Sequence, residues 1–213
     1  MKKFTVPGLI SALAAVFSLV CQAPAMAQDG ATTKDGKVHL QAGVSAGSRL
    51  YSLKTDESAS GSALHLSMEF EADWTAAGNL VLSAGASLAG SAGYHFAGDG
   101  SKNLGEIYLD IPLRAKYHFP FMDGRRSFFI FAGPVLSLDI VSLDAHSKGT
   151  TSNFDTFPDL GRFDLMLGGG VGLVTGPRSA VSLSYDHGLL DRDKGASASV
   201  HTSVVRLGIN YRF

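Results

Sequence analysis

The chain holds seven histidines and a single cysteine, Cys21. One cysteine excludes a disulfide scaffold and a cysteine-based zinc site. None of the histidines stands in the His-x-x-x-His spacing that, with a third ligand, makes a metal site, and no phosphate-binding loop is present. Neither a metal nor a cofactor is expected. Acyl-transfer chemistry would need a serine beside a base. Ser184, Asp186 and His187 are candidate pieces, as are His146 and Ser147. If residues 179–190 are a strand, Asp186 and His187 point to opposite faces and cannot pair side by side. Two further groups of residues stand out. Glu69, Glu71, Asp73, Asp110, Arg114, Lys116, Arg162, Asp164, Asp186, Arg206 and Arg212 sit at alternate positions in otherwise apolar runs. Asp144, His146, Lys148, Phe154 and Phe157 fall in one long polar stretch, residues 141–159.

The elements that must position these residues are visible as a period of two. Val38, Leu40, Ala42, Val44 and Ala46 alternate with smaller or polar residues. So do Leu64 to Trp74, Leu80 to Leu88, Ile107 to Phe119, Phe163 to Leu173, Val181 to Tyr185 and Val205 to Phe213. Residues i and i+2 lie on different faces of a helix, so helical spacing fits none of these rows. The segment 128–138 is apolar on both faces and leaves its register open. The pattern predicts eight strands over 37–53, 62–75, 79–96, 104–119, 127–140, 160–174, 179–190 and 199–213. Gly78-Asn79, Asp123-Gly124 and Gly176-Pro177 supply turn chemistry between some of them. The other connections are longer and polar. Short turns at one end and long loops at the other predict an all-β, eight-stranded antiparallel up-and-down barrel that crosses a membrane.

Two barrels share this pattern. A soluble one keeps its apolar row inside. Eight strands leave an interior just wide enough for side chains, too narrow for all the Leu, Ile, Phe and Tyr of these rows. The opposite face is rich in Gly, Ser and Ala, which suit a narrow lumen. The apolar rows are therefore expected to face lipid, with the alternating charges paired inside as a polar network. Trp74, Phe119, Phe121, Tyr211 and Phe213 would form an aromatic girdle at the short-turn end, with Tyr51, Tyr94 and Phe96 toward the loops.

Residues 1–27 read as a signal peptide: Lys2-Lys3, an apolar run from Phe4 to Val20, then Ala25-Met26-Ala27. A short N-terminal segment, 28–36, then leads into a barrel over 37–213. The formal charge is −1 and charged residues make up 17% of the chain, so there is no basic footprint for nucleic acid.

Arg206, Gly208, Tyr211 and Phe213 resemble the C-terminal assembly signal of bacterial outer-membrane barrels. Tyr108-Leu109-Asp110-Ile111-Pro112-Leu113-Arg114-Ala115-Lys116-Tyr117 is similar to a strand motif of the porin-like outer-membrane β-barrel family. Phe131-Ala132-Gly133-Pro134 and Tyr185-Asp186-His187-Gly188-Leu189 match the same family. The resemblance covers most of 35–213 and carries no catalytic signature. It implies a small barrel in the outer membrane of a Gram-negative bacterium, with both termini in the periplasm. Its partners would be outer-membrane lipid and lipopolysaccharide, with barrel-assembly machinery and periplasmic chaperones during biogenesis, and it would be a monomer. The expected role is a plugged, non-enzymatic module acting through its extracellular loops. The alternatives are a lipid-A or phospholipid hydrolase and a narrow pore. A serine and a histidine within hydrogen-bond reach on the lipid face would favour the hydrolase.

Overall fold

The eight alternating rows become eight strands: β1 (Val38–Lys54), β2 (Ala59–Ala77), β3 (Leu80–Ala97), β4 (Gly100–Pro120), β5 (Ser127–Ala145), β6 (Phe163–Val174), β7 (Ser179–Gly188) and β8 (Ser199–Arg212). The computed structural model describes residues 38–54, 59–97, 100–121, 126–145, 161–192 and 199–213. The proposed signal peptide, the segment 28–36 and most of the long loops lie outside them.

Each strand pairs antiparallel with its chain neighbour, and β1 pairs with β8 to close the barrel. Closure leaves no ladder edge to hydrocarbon, where an unpaired backbone group costs several kcal/mol. The seam runs from Gln41 opposite Arg212 to Lys54 opposite Ser199. Below it, the Phe213 amide donates to the Leu40 carbonyl at 3.0 Å. At the β2–β3 turn Gly78 adopts φ +53°, a conformation that side-chain-bearing residues rarely take.

The barrel is inside out relative to a soluble protein. Leu64 is 60% exposed and Ile209 59%, whereas Asp186 is fully buried and Arg206 7% exposed. The undecided segment 128–138 resolves with Phe128, Ile130, Leu136 and Leu138 outward and Phe129, Val135 and Ser137 buried inside. Glycine makes room for two inward rings. A Cβ on Gly172 would lie 2.1 Å from Cζ of Phe129, and one on Gly170 2.6 Å from Cζ of Phe131.

Several strands outrun the predicted spans. β5 reaches Ala145 rather than 140, and β4 begins at Gly100 rather than 104. The predicted spans followed the apolar rows, but the hydrogen-bonded ladder between β4 and β5 continues past them, to Asn103 opposite Ala145. The wall is also uneven, since β4 has 21 residues and β7 has 10.

Candidate functional site

The lumen is filled by three tiers of paired charge. At the short-turn end, Lys116 of β4 places Nζ 2.5 Å from Glu71 Oε2 and 3.0 Å from Asp73 Oδ1, both on β2. Gln41 donates to Glu71 as well and lies 3.4 Å from Asp73. Arg212 stands 3.7 Å from Asp73 on the other side.

In the middle, Asp186 of β7 takes two guanidiniums. Arg114 Nη2 donates to it at 2.8 Å, and Arg206 donates to its second oxygen. Arg206 also lies 3.7 Å from Glu69 and 3.9 Å from Asp110. Ser67 donates to Glu69 at 3.0 Å, and Thr202 donates to Asp164 at 2.5 Å. Burying an ion is costly unless it is paired and hydrogen-bonded. Asp186, bonded by two arginines, meets that condition, and Arg206 is shared with Glu69 and Asp110.

Toward the loop end, Glu106 accepts hydrogen bonds from the hydroxyls of Tyr51 and Tyr108. Ser91 bonds Tyr108 at 2.8 Å. The Arg49 guanidinium is 1% exposed and lies 3.8 Å from the Tyr108 ring centroid, a cation–π contact. Arg192 closes the tier, 3.5 Å from Glu106 and 3.6 Å from Asp139, with Nε donating to the Gly161 carbonyl at 3.0 Å.

Free space is unequal along this column. A cavity of about 50 Å³ runs among Glu69, Asp110, Arg114, Lys116, Phe131 and Arg206. Below it a mouth of about 1010 Å³ opens between Asn79, His118, Pro120, Arg126, Gly176 and Arg212. No cluster of metal-ligating side chains occurs among the described residues.

Ten of the eleven charges expected inside are there. Arg162 is the correction: it is exposed, because it sits in the bend before β6 begins at Phe163, beyond the last ladder pair with β5. Tyr51 is a second correction. Expected in the outer girdle, it is buried inside because it shares the parity of Arg49 rather than that of Leu50. The girdle at the short-turn end holds, with Trp74, Phe119, Phe121, Tyr211 and Phe213 exposed on the wall. Within the terminal motif, Arg206 and Gly208 face the lumen. Tyr211 and Phe213 meet outside, edge to face at 5.5 Å. Of the loop residues, Asp144 lies in β5, and only its backbone is described. His146, Ser147, Lys148, Phe154 and Phe157 lie outside the described residues.

Arg49, Glu106, Asp139 and Arg192 were not anticipated as lumen residues. Each stands beyond the end of a clear apolar row, where alternation gives no parity to read. The run Gly43-Val44-Ser45-Ala46-Gly47 spells G-x-S-x-G. It lies inside β1, not on the strand-to-helix turn that motif requires. Its serine faces the lumen, 2.5 Å from the Ser67 hydroxyl. The group Ser184, Asp186 and His187 does not assemble. Ser184 lines the lumen cavity and Asp186 is buried within it, while His187 points outward. There His187 meets a different serine, Ser203 of β8, with Nδ1 2.9 Å from Oγ.

The family model described as "Outer membrane protein beta-barrel domain" matches residues 12–213. No curated protein matches the chain. Among solved structures, Neisserial surface protein A is similar at 16% identity and TM-score 0.43, covering 84% of this chain and 100% of its own. The Yersinia pestis attachment invasion locus protein, solved with the heparin analogue sucrose octasulfate, is similar at 14% identity and TM-score 0.42. It covers 82% of this chain and 99% of its own. The outer membrane protein OprG of Pseudomonas aeruginosa is similar at 12% identity and TM-score 0.46, covering 81% and 95%.

Proposed function

The chain belongs to the outer membrane protein beta-barrel domain family, and from that premise we propose that it is a plugged scaffold holding its long loops at the cell surface. The observation that carries this reading is the succession of three buried groups of ion pairs along the lumen, around Lys116, Arg206 and Arg192. A wall committed to lipid and a lumen committed to packing leave the loops as the variable surface. In this reading both termini lie in the periplasm, at the short-turn end. The wall is partnered by outer-membrane lipid and lipopolysaccharide, and Tyr211 and Phe213 are the residues the assembly machinery reads.

Planar-bilayer recording on the refolded full chain tests the plug. Conductance at background is expected, and stable step-like channels would overturn it in favour of a narrow pore. A second arm removes residues 146–157. The barrel then keeps its heat-modifiable migration and its background conductance. A chain that no longer folds without them overturns the assignment of this segment as a surface module.

A further inference from the structure

The lipid-facing side of the β7–β8 hairpin carries a cluster of polar residues. Tyr185 and His187 on β7 and Ser199, His201 and Ser203 on β8 all occupy outward positions. His187 stands directly opposite Ser203 in the ladder. Their side chains are bonded, Ser203 Oγ to His187 Nδ1, at 2.9 Å. The Tyr185 hydroxyl donates to the same Ser203 oxygen at 3.2 Å. The His201 ring stacks beside His187 at 6.3 Å, and its Nε2 lies 3.2 Å from the Ser199 hydroxyl. Below this group the wall is apolar: Val181, Leu183, Val205, Leu207 and Ile209 are all exposed. Beside it, Leu167 of β6 stands opposite His187 and Leu50 of β1 opposite Ser203, both exposed.

Height decides what this group meets. Eight residues separate Ser203 from Tyr211 at the short-turn girdle. At about 3.4 Å per residue and a tilt of about 40°, that places Ser203 roughly 20 Å above the girdle. The apolar band of such barrels is about 25 Å tall. The pair therefore sits where hydrocarbon gives way to the polar part of the outer leaflet, the level at which acyl chains are esterified. An ionisable residue on the lipid-facing part of a spanning segment is rare and marks a functional site by default.

We propose that Ser203 and His187 form a nucleophile–base pair that cleaves an acyl ester of an outer-leaflet lipid, with Tyr185 as the oxyanion donor. With the His187 proton on Nε2, Nδ1 accepts the Ser203 hydroxyl proton as Oγ attacks the ester carbonyl. The Tyr185 hydroxyl, already on Oγ, turns to the carbonyl oxygen as it becomes negative. The ester C–O bond breaks, the leaving alkoxide takes the proton from His187, and an acyl-serine remains. Water from the interface then adds by the same path, gives its proton to His187, releases a carboxylic acid and restores the hydroxyl. The exposed leucines and Val205 around the pair provide the bed on which acyl chains lie. The ester can belong to a phospholipid or to lipopolysaccharide, since both present acyl esters at this depth. This site is separate from the lumen and the loops, so its fate does not depend on the plug.

The test uses the refolded full chain in detergent micelles, with heat-modifiable migration reporting the fold of every variant. A long-chain alkyl fluorophosphonate should label Ser203, located by peptide mass spectrometry. Ser203→Ala should abolish labelling and His187→Gln should slow it at least tenfold. Ser184→Ala, with its hydroxyl in the lumen, should label like the native chain. Two further arms incubate the protein with phosphatidylethanolamine vesicles or with purified lipopolysaccharide and measure free fatty acid. Release from either, lost in Ser203→Ala, supports the proposal and names the source. An unlabelled Ser203 in the folded chain, labelling indifferent to His187→Gln, or no fatty acid from either lipid overturns it. The group is then a hydrogen-bonded interfacial patch only.

Discussion

The two ends of the lumen solve one problem in different ways. At the loop end Arg49, Tyr51, Glu106, Tyr108 and Arg192 are all buried, and part of the stabilisation of the cations comes from an aromatic face. At the short-turn end Lys116, Glu71, Asp73, Gln41 and Arg212 stand above the open mouth, with Arg212 about one-third exposed on its side chain. The upper tier is buried, and the Arg49 guanidinium there has a ring face in place of a hydrogen bond. The lower tier has water as a further partner. The same residue types therefore carry different weight in the two places: a charge lost above leaves an ion stranded, and one lost below leaves an ion that can rehydrate.

The largest expected break in this contrast is Glu106→Ala. It takes one of two carboxylates from beside Arg192 and removes the acceptor of two tyrosine hydroxyls. Removing one partner of a buried ion pair costs about 3–5 kcal/mol, read as a lower urea midpoint by heat-modifiability. A loss below about 1 kcal/mol would mean that water reaches the upper tier, and the contrast would fail. Next comes Gly172→Val near the lower end, whose Cβ would meet the Phe129 ring. Overpacking of this kind costs about 1–3 kcal/mol in the same assay. A neutral result would show that the ring has room to swing into the mouth. The smallest effect belongs to Lys116→Ala. Gln41 and Arg212 remain beside Glu71 and Asp73, so the cost should be about 1 kcal/mol or less. A loss equal to that of Glu106→Ala would erase the difference between the tiers.

The lower and middle tiers were legible in the sequence and the upper was not. Glu71, Asp73, Asp110, Arg114 and Lys116 alternate with long apolar rows, which puts them on one face, and the narrow lumen of eight strands turns that face inside. Arg49 and Tyr51 follow the last clear members of their row, and Tyr51 passes equally well for a girdle residue. Arg192 lies past the end of β7 and is held in the lumen by tertiary bonds, its amide to the Val200 carbonyl and its Nε to the Gly161 carbonyl. The terminal motif fixed the last strand, since Tyr211 and Phe213 could only be outside if Arg206 was inside. The Ser203–His187 pair was hidden for another reason. Parity says that both face lipid, but which residue of β8 stands opposite His187 depends on register, and register is set by the whole closed ladder.

The unequal heights of the wall have a mechanical meaning. The ladder between β1 and β2 runs from Val38 opposite Trp74 to Leu53 opposite Ala59. That between β6 and β7 runs only from Val174 opposite Ala180 to Met166 opposite Gly188, as short as the ladder between β7 and β8. A cylinder zipped by hydrogen bonds parts first along its shortest zipper. Gly168, Gly169, Gly170 and Gly172 lie on that line, and they bring little side-chain contact to hold it. The side of the barrel that bears Tyr185 and His187 is therefore also its softest, the place where lateral pressure from the bilayer is felt first.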